Sequence, residues 1–419
     1  MKILFLTIGL PDMSKGGGFY ADLIQEMSNS GIEVTVLSPT FQNQSSGLYQ
    51  EGTCRVLRVN VPFLKKNTSL IRKGLGSLAL NPCYIRAYNK YLAKEKFDYV
   101  FLPTPPPTMV EVAKVIKKVS GAKLYVILRD IQPECGDRRE VSESVLKRHD
   151  VYDECKNPFG INGLVYKYLY RKSQQLYRLA DFIGCMSPGN MEFVKKIAPY
   201  VEDSKNVLLP NWYKETHLNE PNDSAEIRKK YDLTDKFVAI FGGNVGPQQA
   251  IWNIVMLAKH FNDQKDIVFL VVGRGTKMGR LKEMAANEHL DNIMFMPYMP
   301  RNEYEQVLKM ADVGLISLDE KYKVPTCPSK VIGYMALHQP VVAMINEGSD
   351  YGEFYIDKAG CGLWSAGLDH EKMFANFEWM YTHPEERKAM GEAGYRYYKE
   401  HFEVKVVCKQ LLEQLKYRE

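Results

Sequence analysis

The stretch VPTCPSKVIGYMALHQPVVA, residues 324–343, predicts a turn, a short helix and a buried strand in succession. Two prolines end the preceding strand, and Pro340 ends the helix before the apolar run VVAMI. Ser329 and Lys330 lie where a helix leaves its first backbone N–H groups unpaired. Those groups, the helix dipole, a hydroxyl and an ammonium would converge on one place and favour a phosphate. An ordinary helix start with a solvated lysine fits these residues equally well.

A second turn of the same kind favours the phosphate interpretation. The apolar run FVAIFGGNVG, residues 237–246, ends in glycines and is followed by the helical pattern PQQAIWNIVMLAKHF. A strand that ends in a glycine turn before a helix lets the backbone approach a ligand closely. Many such turns carry glycine for local reasons only. Two of them in one half of the chain indicate a diphosphate.

Short apolar runs alternate with helical patterns along nearly the whole chain, which is typical of parallel sheets covered on both faces. The predicted strands of the first half are KILFLTI, EVTVLS, YVFLP, KLYVILR, DFIGCMS and NVLLP. Those of the second half are FVAIFG, IVFLVVG, NIMFMP, VGLISL and VVAMI. Each set can build one doubly wound, Rossmann-like α/β domain.

The chain is long enough for two such domains, and a polar segment after residue 210 separates the two sets of strands. We predict an N-terminal domain over 1–210 and a C-terminal domain over 211–395, facing each other across a central cleft. Residues 396–419 hold an amphipathic helix, which we expect to pack back on the N-terminal domain. Ligands of such domains bind beyond the carboxyl ends of the strands, and therefore in the cleft.

Composition narrows the class of protein. The first residues are too briefly apolar for a signal peptide, and no stretch approaches the length of a membrane span. The eight cysteines are scattered without a C-x-x-C pair, so neither a disulfide framework nor a zinc site is indicated. The sequence contains no D-x-D motif and no His/Asp cluster with ligand spacing. We expect a cytoplasmic protein that needs no metal and no other cofactor.

Positive charge is concentrated in one segment. Residues 62–96 hold eight Lys and Arg against one acid, so this segment has a net charge of +7. Because the whole chain has a net charge of +5, the remaining residues together carry −2. Leucine, isoleucine, phenylalanine and tyrosine alternate with the basic residues. No aromatic–basic nucleic-acid motif accompanies them, so we expect no nucleic-acid partner. The pattern favours an anionic membrane surface, with a solvated basic helix and loop as the alternative.

Five blocks of sequence, in this order along the chain, resemble the family 4 glycosyltransferases of the GT-B fold. They are LRDIQPE (128–134), YKYLYRKSQQLYRLADFIGCMSPGNMEFV (166–194), FGGNVGPQQ (241–249), VGRGTKMGRLKE (272–283) and the stretch 324–343. Within the family the chain is similar to bacterial capsule, O-antigen and exopolysaccharide enzymes. The resemblance implies retaining transfer of a hexose or N-acetylhexosamine from a nucleotide-diphosphate-sugar to a glycan acceptor. From the basic segment we further expect that the enzyme lies peripherally on the inner face of the cytoplasmic membrane and acts on a lipid-linked acceptor, a glycan carried by a polyprenyl diphosphate.

The resemblance also assigns roles to positions. The residues that resemble the family's donor-binding positions are Gly16, Gly17, Gly18, Gly243, Asn244, Gly246, Arg274, Met296, Pro297, Tyr298, Ser329 and Lys330. Of these, the glycines at 16–18 would close over the donor from the acceptor side, and the loop at 296–299 would bind the nucleotide base through its backbone. The chain departs from the pattern where the wider family has two glutamates, since Pro325 and Gly333 occupy those positions.

Catalysis in such a transfer needs positive charge at the leaving diphosphate and a group near the acceptor hydroxyl. Fixed cations and N–H dipoles stabilise the developing negative charge, and Lys330 is the candidate for that role. Asp130 or Glu134, at a predicted strand end facing the cleft, could orient the acceptor hydroxyl. The donor phosphate could also accept the proton itself, and Arg129 could simply pair with Asp130.

Three other functions remain open at this point. A nucleotide-sugar epimerase of the same fold would need a carboxylate and histidine set that nothing in the sequence singles out. A nicotinamide dehydrogenase would use the G-x-G at Gly273 and Gly275, but the acidic residue expected after the next strand is absent. A non-catalytic partner of another transferase is suggested by Gly333.

Overall fold

The computed structural model describes residues 1–15, 17–40, 44–62, 70–131, 161–215, 224–320, 324–346 and 348–416. Within these ranges the first half of the chain forms an eight-stranded sheet in the order β3-β4-β2-β1-β5-β6-β7-β8, in which β3 alone is antiparallel. Its strands are β1 Lys2–Leu6, β2 Glu33–Pro39, β3 Gly47–Glu51, β4 Cys54–Val59, β5 Tyr99–Thr104, β6 Lys123–Leu128, β7 Phe182–Cys185 and β8 Asn206–Leu208.

The second half forms a parallel six-stranded sheet in the order β11-β10-β9-β12-β13-β14. Its strands are β9 Phe237–Asn244, β10 Ile267–Arg274, β11 Ile293–Met296, β12 Val313–Ser317, β13 Val341–Ile345 and β14 Gly362–Ala366. Both sheets are doubly wound, as predicted. The order of strands reverses next to β1 in the first sheet and next to β9 in the second.

Helices cover both faces of each sheet. The helices in the described ranges are α1 Phe19–Asn29, α2 Leu70–Tyr91, α3 Val110–Ser120, α4 Ile161–Leu179, α5 Pro188–Ile197, α6 Ser224–Lys230, α7 Ile251–His260, α8 Met278–Asn287, α9 Arg301–Lys309, α10 Lys330–Ala336, α11 His370–Thr382, α12 Pro384–His401 and α13 Val404–Lys416. Because each central strand is apolar on both sides, each sheet has two cores, one under each helical layer.

All eleven strands predicted from apolar runs are present, and three strands were missed. β3 is an edge strand whose side chains alternate between half-buried and exposed, and β14 is an edge strand whose side chains are mostly half-buried, so neither forms a long apolar run. β4 contains Arg58, which is fully buried in an ion pair with Glu51. A charged residue that is paired in the core hides a buried strand from any analysis of hydropathy.

The predicted boundary at residue 396 differs from the structure, because α12 runs without interruption from Pro384 to His401. The last helix, α13, begins at Val404 and packs on the N-terminal sheet. Its buried side chains, among them Val407 and Leu411, share one core with Ile3 and Phe5 of β1. The chain therefore crosses from the second domain back to the first after residue 401.

Candidate functional site

The glycine turn begins in the carboxyl end of β9, which includes Gly243 and Asn244, and lies where the strand order of the second sheet reverses, since β9 is flanked by β10 and β12. Gly243 has φ +101°, a conformation that side chains other than glycine rarely adopt. A Cβ on Gly243 would lie 3.6 Å from Cε of Lys330. The structure therefore brings together the two predicted phosphate-binding turns at the carboxyl edge of one sheet, the usual ligand position in such domains.

Lys330 is the central side chain of this site. Its ammonium lies 3.9 Å from the centre of the Phe241 ring, and it donates a hydrogen bond to Oε1 of Gln249. Burial lowers the pKa of Lys330 to about 7, because desolvation disfavours its charged form. The lysine is thus held over an apolar ring with the neutral Gln249 as its hydrogen-bond partner, and an arriving anion would favour its charged form. Sequence analysis did not identify Gln249 as that partner.

The G-x-G at the end of β10 has a packing role. Gly273 has φ +143°, and a Cβ there would lie 2.0 Å from the carbonyl oxygen of Gly243. A Cβ on Gly275 would lie 2.1 Å from the carbonyl oxygen of Val245. Both glycines are therefore needed for the close approach of β10 to the turn after β9, and this explains the motif without a nicotinamide cofactor.

Helix α10 begins at Lys330 and has only seven residues. Ser329 precedes it with an exposed side chain that makes no capping hydrogen bond. The helix ends at Ala336, four residues before the predicted stop at Pro340, because His338 adopts the left-handed conformation with φ +58°. Ser329 and Lys330 nevertheless stand at the predicted helix start, next to the glycine turn.

The predicted base-binding loop, residues 296–299, lies beside the glycine turn. Met296 is buried, whereas Tyr298 is 58% exposed, with the guanidinium of Arg274 stacked 4.2 Å from its ring centre. Arg274 is paired in register with Asn244, which places this stack beside the glycine turn. A cavity of about 350 Å³ adjoins the loop. Its lining residues are Tyr231, Met294, Phe295, Met296, Pro297, Tyr298, Met299, Pro300 and Glu303.

On the N-terminal side, a glycine turn precedes α1. Gly17 and Gly18 have φ +82° and +123°, and Gly16 lies outside the described residues. The loop before this turn is held by the buried pair of Arg58 and Glu51. Arg58 donates to the carbonyl oxygens of Leu10 and Pro11, each at 3.1 Å, and Glu51 accepts the backbone N–H of Met13. Sequence analysis missed this pair.

Asp130 follows β6 with an exposed side chain, and Glu134 lies outside the described residues. Desolvation by the surrounding protein raises the pKa of Asp130, against the charge of Arg129. The two side chains interact electrostatically, although in the described part of the chain no hydrogen bond joins them. Arg129 instead donates to the carbonyl oxygen of Leu209 and stacks 4.5 Å from the ring of Trp212.

A buried group of charges connects the two sides of the cleft. Arg301, just after the base-binding loop, donates to Asp22 of α1 at 2.7 Å and to Glu305 at 2.9 Å. Tyr213 donates to the same Glu305 oxygen at 2.6 Å. The ring of Tyr213 also covers Gly333, where a Cβ would lie 3.4 Å from Cε2. A side chain at position 333 would therefore begin in van der Waals contact with the tyrosine ring.

The basic segment at 62–96 is only partly described. In its described half, Arg86, Lys90, Lys94 and Lys96 are exposed, while Leu80, Tyr84, Tyr88 and Leu92 belong to the core. The expectation that apolar residues between the charges could enter a membrane is therefore wrong for this half. Residues 63–69, and the side chains of 70–78, lie outside the description.

The described residues contain neither a metal-binding cluster nor a helix that could span a membrane. No three His, Cys, Asp or Glu side chains there lie close enough together to hold a metal ion. In the same ranges no helix combines the length and the apolar character needed to cross a lipid bilayer.

Comparison with known proteins identifies relatives. Residues 223–397 match the sequence model of the family described as "Glycosyl transferases group 1". Over 375 residues the chain is 23% identical to WcaI of Escherichia coli K12, a proposed colanic acid biosynthesis glycosyl transferase. That alignment covers 84% of this chain and 85% of WcaI.

Solved structures with the same fold span the whole chain. Sucrose-phosphate synthase from Thermosynechococcus elongatus superposes with a TM-score of 0.74 at 14% identity, over 99% of this chain and 98% of that one. Anabaena HepE, solved in complex with UDP-glucose, superposes with a TM-score of 0.67 at 14% identity over 100% of both chains. The chain thus has the GT-B fold, as expected from the resemblance.

Proposed function

We propose, from the premise that residues 223–397 of this chain belong to the family of group 1 glycosyl transferases, that the protein transfers a sugar from a nucleotide-diphosphate-sugar to a glycan acceptor. The observation that carries the proposal is the position of Lys330 beside Gly243. A partly desolvated ammonium next to a glycine turn, at the carboxyl edge of the sheet, suits a diphosphate. HepE, a structural neighbour, was solved with UDP-glucose, which supports this class of donor.

The proposed chemistry follows from charge. As the bond between the sugar and the diphosphate breaks, negative charge collects on the leaving phosphate oxygens. Lys330 stabilises that charge, and the low polarity around Phe241 strengthens the attraction. Ser329, with its exposed and uncapped hydroxyl, donates a hydrogen bond to the same group. Lys330 serves as the electrostatic catalyst of the transfer.

The acceptor enters from the N-terminal side in this proposal. Asp130, exposed at the end of β6, orients the acceptor hydroxyl, while the donor phosphate or Asp130 receives its proton. The expected product retains the anomeric configuration of the donor, as the family resemblance implies. Because WcaI is named for colanic acid biosynthesis, we propose that this chain also acts in surface polysaccharide synthesis, on a lipid-linked glycan carrying a polyprenyl diphosphate.

A transfer assay tests the proposal. The purified protein is incubated with a panel of nucleotide-sugars carrying hexoses or N-acetylhexosamines, together with polyprenyl-diphosphate-linked acceptors, and products are followed by mass spectrometry. Proton NMR of the product then gives its anomeric configuration. Lys330→Ala should lower turnover by about 100- to 1,000-fold. An epimerised nucleotide-sugar with no transfer, an inverted product, or full activity of Lys330→Ala would each contradict the corresponding part of the proposal.

We also propose that the reaction proceeds without a metal ion, since Lys330 and the glycine-turn N–H groups supply the positive charge that a cation would otherwise provide. Turnover should be the same after treatment with a chelator as before it. An activity that disappears in EDTA and returns with magnesium or manganese would contradict this part.

Peripheral association with an anionic membrane is a further part of the proposal. The exposed residues Arg86, Lys90, Lys94 and Lys96 would contribute attraction of about 1 kcal/mol each close to such a surface, falling with salt. Flotation with anionic and neutral vesicles is the test. Replacing these four residues by glutamine should weaken binding to anionic vesicles only. Binding that ignores lipid charge and salt would show that this surface does not bind the membrane electrostatically.

A further inference from the structure

The loop between β12 and α10 is held by side-chain donors from elsewhere in the chain. Asn190 donates to the carbonyl oxygen of Pro325 at 2.7 Å, and Asn211 donates to that of Cys327 at 2.7 Å. The Tyr351 hydroxyl donates to the carbonyl oxygen of Pro328 at 2.8 Å. We refer to residues 324–328 as the clamped loop. It leads directly into Ser329 and Lys330.

The donors come from both domains. Asn190 lies in α5 of the N-terminal domain and Asn211 lies at the junction between the two domains, just after β8, whereas Tyr351 follows β13 of the second sheet. The two asparagines are 1% and 3% exposed. Val324, at the start of the clamped loop, packs in the core of the N-terminal domain. The loop is thus inserted between the domains rather than carried by one of them.

The composition of the loop explains its dependence on these donors. Pro325 and Pro328 have no N–H group, so the loop cannot form a regular ladder of its own. Its buried carbonyl groups need partners, because an unpaired buried carbonyl is unfavourable. Loss of a donor would therefore let the loop move until water or another group reaches the carbonyl. Lys330 is two residues beyond Pro328 and would move with it.

We propose that Asn190, from the N-terminal domain, and Asn211, at the junction of the two domains, are positioning residues that fix Lys330. They hold the clamped loop in the one arrangement that places the Lys330 ammonium beside Gly243. The inference rests on the proposed function in one respect, namely that Lys330 contacts the donor diphosphate. It makes the geometry of the donor site depend on how the two domains are arranged, although neither asparagine touches that site.

Kinetics provide the first test. Asn211→Ala should lower kcat about 10- to 100-fold, the scale expected when a reacting group is misplaced by about 1 Å. In a Lys330→Ala background Asn211→Ala should lower kcat almost no further, because both substitutions remove the same contribution, that of the Lys330 ammonium to the reaction. Tyr351→Phe deletes a single hydroxyl without changing the ring and tests the same loop if Asn211→Ala folds poorly.

Asn292→Ala is the matched control. Asn292 is also buried and donates one hydrogen bond, at 2.8 Å, to the carbonyl oxygen of Ala258. It precedes the first residue of β11, at the end of the strands opposite to the carboxyl ends where the proposed donor site lies. This variant should keep the wild-type kcat. An equal loss of kcat in Asn211→Ala and in the control Asn292→Ala would overturn the positioning role. Additive effects of Asn211→Ala and Lys330→Ala on kcat would overturn it as well.

A second measurement is independent of activity. Lysine amines carrying a ¹³C-methyl label can be titrated by NMR, with the Lys330 signal assigned by its absence in Lys330→Ala. Asn211→Ala should raise the pKa of Lys330 towards the ordinary lysine value of about 10.4, because a loosened loop admits water. Asn292→Ala should leave it unchanged. An unaltered Lys330 titration in Asn211→Ala overturns the positioning role, whereas an inactive wild-type protein with the expected titrations overturns only the proposed function.

Discussion

Lys330 shows how a single residue can be unfavourable for folding and useful for binding. Its ammonium is surrounded by Phe241 and the neutral Gln249, and burial lowers its pKa to about 7. The unfolded chain, in which a lysine has a pKa of about 10.4, binds more protons between pH 7 and pH 10. The free energy of unfolding contributed by this residue therefore rises with pH across that window. Below pH 7 the folded protein carries the full energetic penalty of the buried charge.

Replacing the lysine should reveal this penalty. Lys330→Met keeps the length of the side chain without its charge, so we expect the variant to be more stable than the wild type by about 1–3 kcal/mol at pH 7. The advantage should shrink as the pH approaches 10. Urea denaturation at pH 6, 7, 8.5 and 10 measures the difference. Parallel pH profiles for the two proteins would show that Lys330 is hydrated in the folded state.

Ligand binding should change the same proton equilibrium. An anion beside Lys330 favours its charged form, so binding of a nucleoside diphosphate should raise the pKa of Lys330 and take up a proton near pH 8. Calorimetric titration in buffers of different ionisation enthalpy gives the number of protons directly. The uptake should disappear in Lys330→Met. Binding to the wild type with no proton uptake at pH 8 would place the diphosphate away from this ammonium.

At the scale of elements, the ends of β9 and β10 form one unit. Gly273 of β10 is in direct contact with the backbone of Gly243, with no space for a Cβ between them. The shape of the glycine turn, which we propose binds the diphosphate, is thus determined partly by the neighbouring strand. A change in β10 should affect the turn without touching any ligand.

Gly273→Ala tests this dependence. A Cβ at this position would lie 2.0 Å from the Gly243 oxygen and would also strain the backbone, so we expect a loss of stability of about 2–4 kcal/mol and at least tenfold weaker nucleotide binding. Gly279 in α8 is the control, because nothing lies within 4 Å of its Cβ position. Gly279→Ala should stabilise the protein by about 0.5–1 kcal/mol. Thermal denaturation with and without UDP measures both effects.

The same scale shows what sequence could and could not predict. Strands buried on both faces are continuous apolar runs, so most of the eleven predicted strands and the order of the glycine turns followed from sequence. β4 was missed because the partner that neutralises Arg58 is set by tertiary structure. Proximity of Lys330 to Gly243 was expected from the fold, whereas Gln249 and the clamped loop depend on contacts between distant residues. Such contacts leave no pattern in a single sequence.

At the scale of the whole molecule, buried charge joins the domains. Arg301 lies between Asp22 of the N-terminal domain and Glu305 of the C-terminal domain, and Glu305 is fully buried. Burial raises the pKa of Asp22 even with the arginine present. Removing the arginine would leave two carboxylates in a site of low polarity, which strongly disfavours their charged forms.

Arg301→Met should therefore cost about 3–5 kcal/mol of stability at pH 7. The loss should become smaller towards pH 5, because Asp22, whose pKa is already raised by burial, takes up a proton more readily once the arginine is gone. Lys399→Met is the comparison, since it removes an ion pair with Glu403 that is partly exposed, and should cost at most about 1 kcal/mol. Urea denaturation at pH 5 and pH 7 measures both. Equal costs at pH 7 would mean that water reaches Arg301.

The packing of α13 against β1 also determines the order in which the protein can mature. The ribosome produces β1 first and α13 only after the entire C-terminal domain, because Ile3 and Leu411 of one core are separated by nearly the whole chain. The part of this core that α13 covers, beside the residues contributed by α1, therefore remains uncovered until the end of translation. The N-terminal domain cannot complete its core as a nascent chain, and its last folding step must follow synthesis of the second domain.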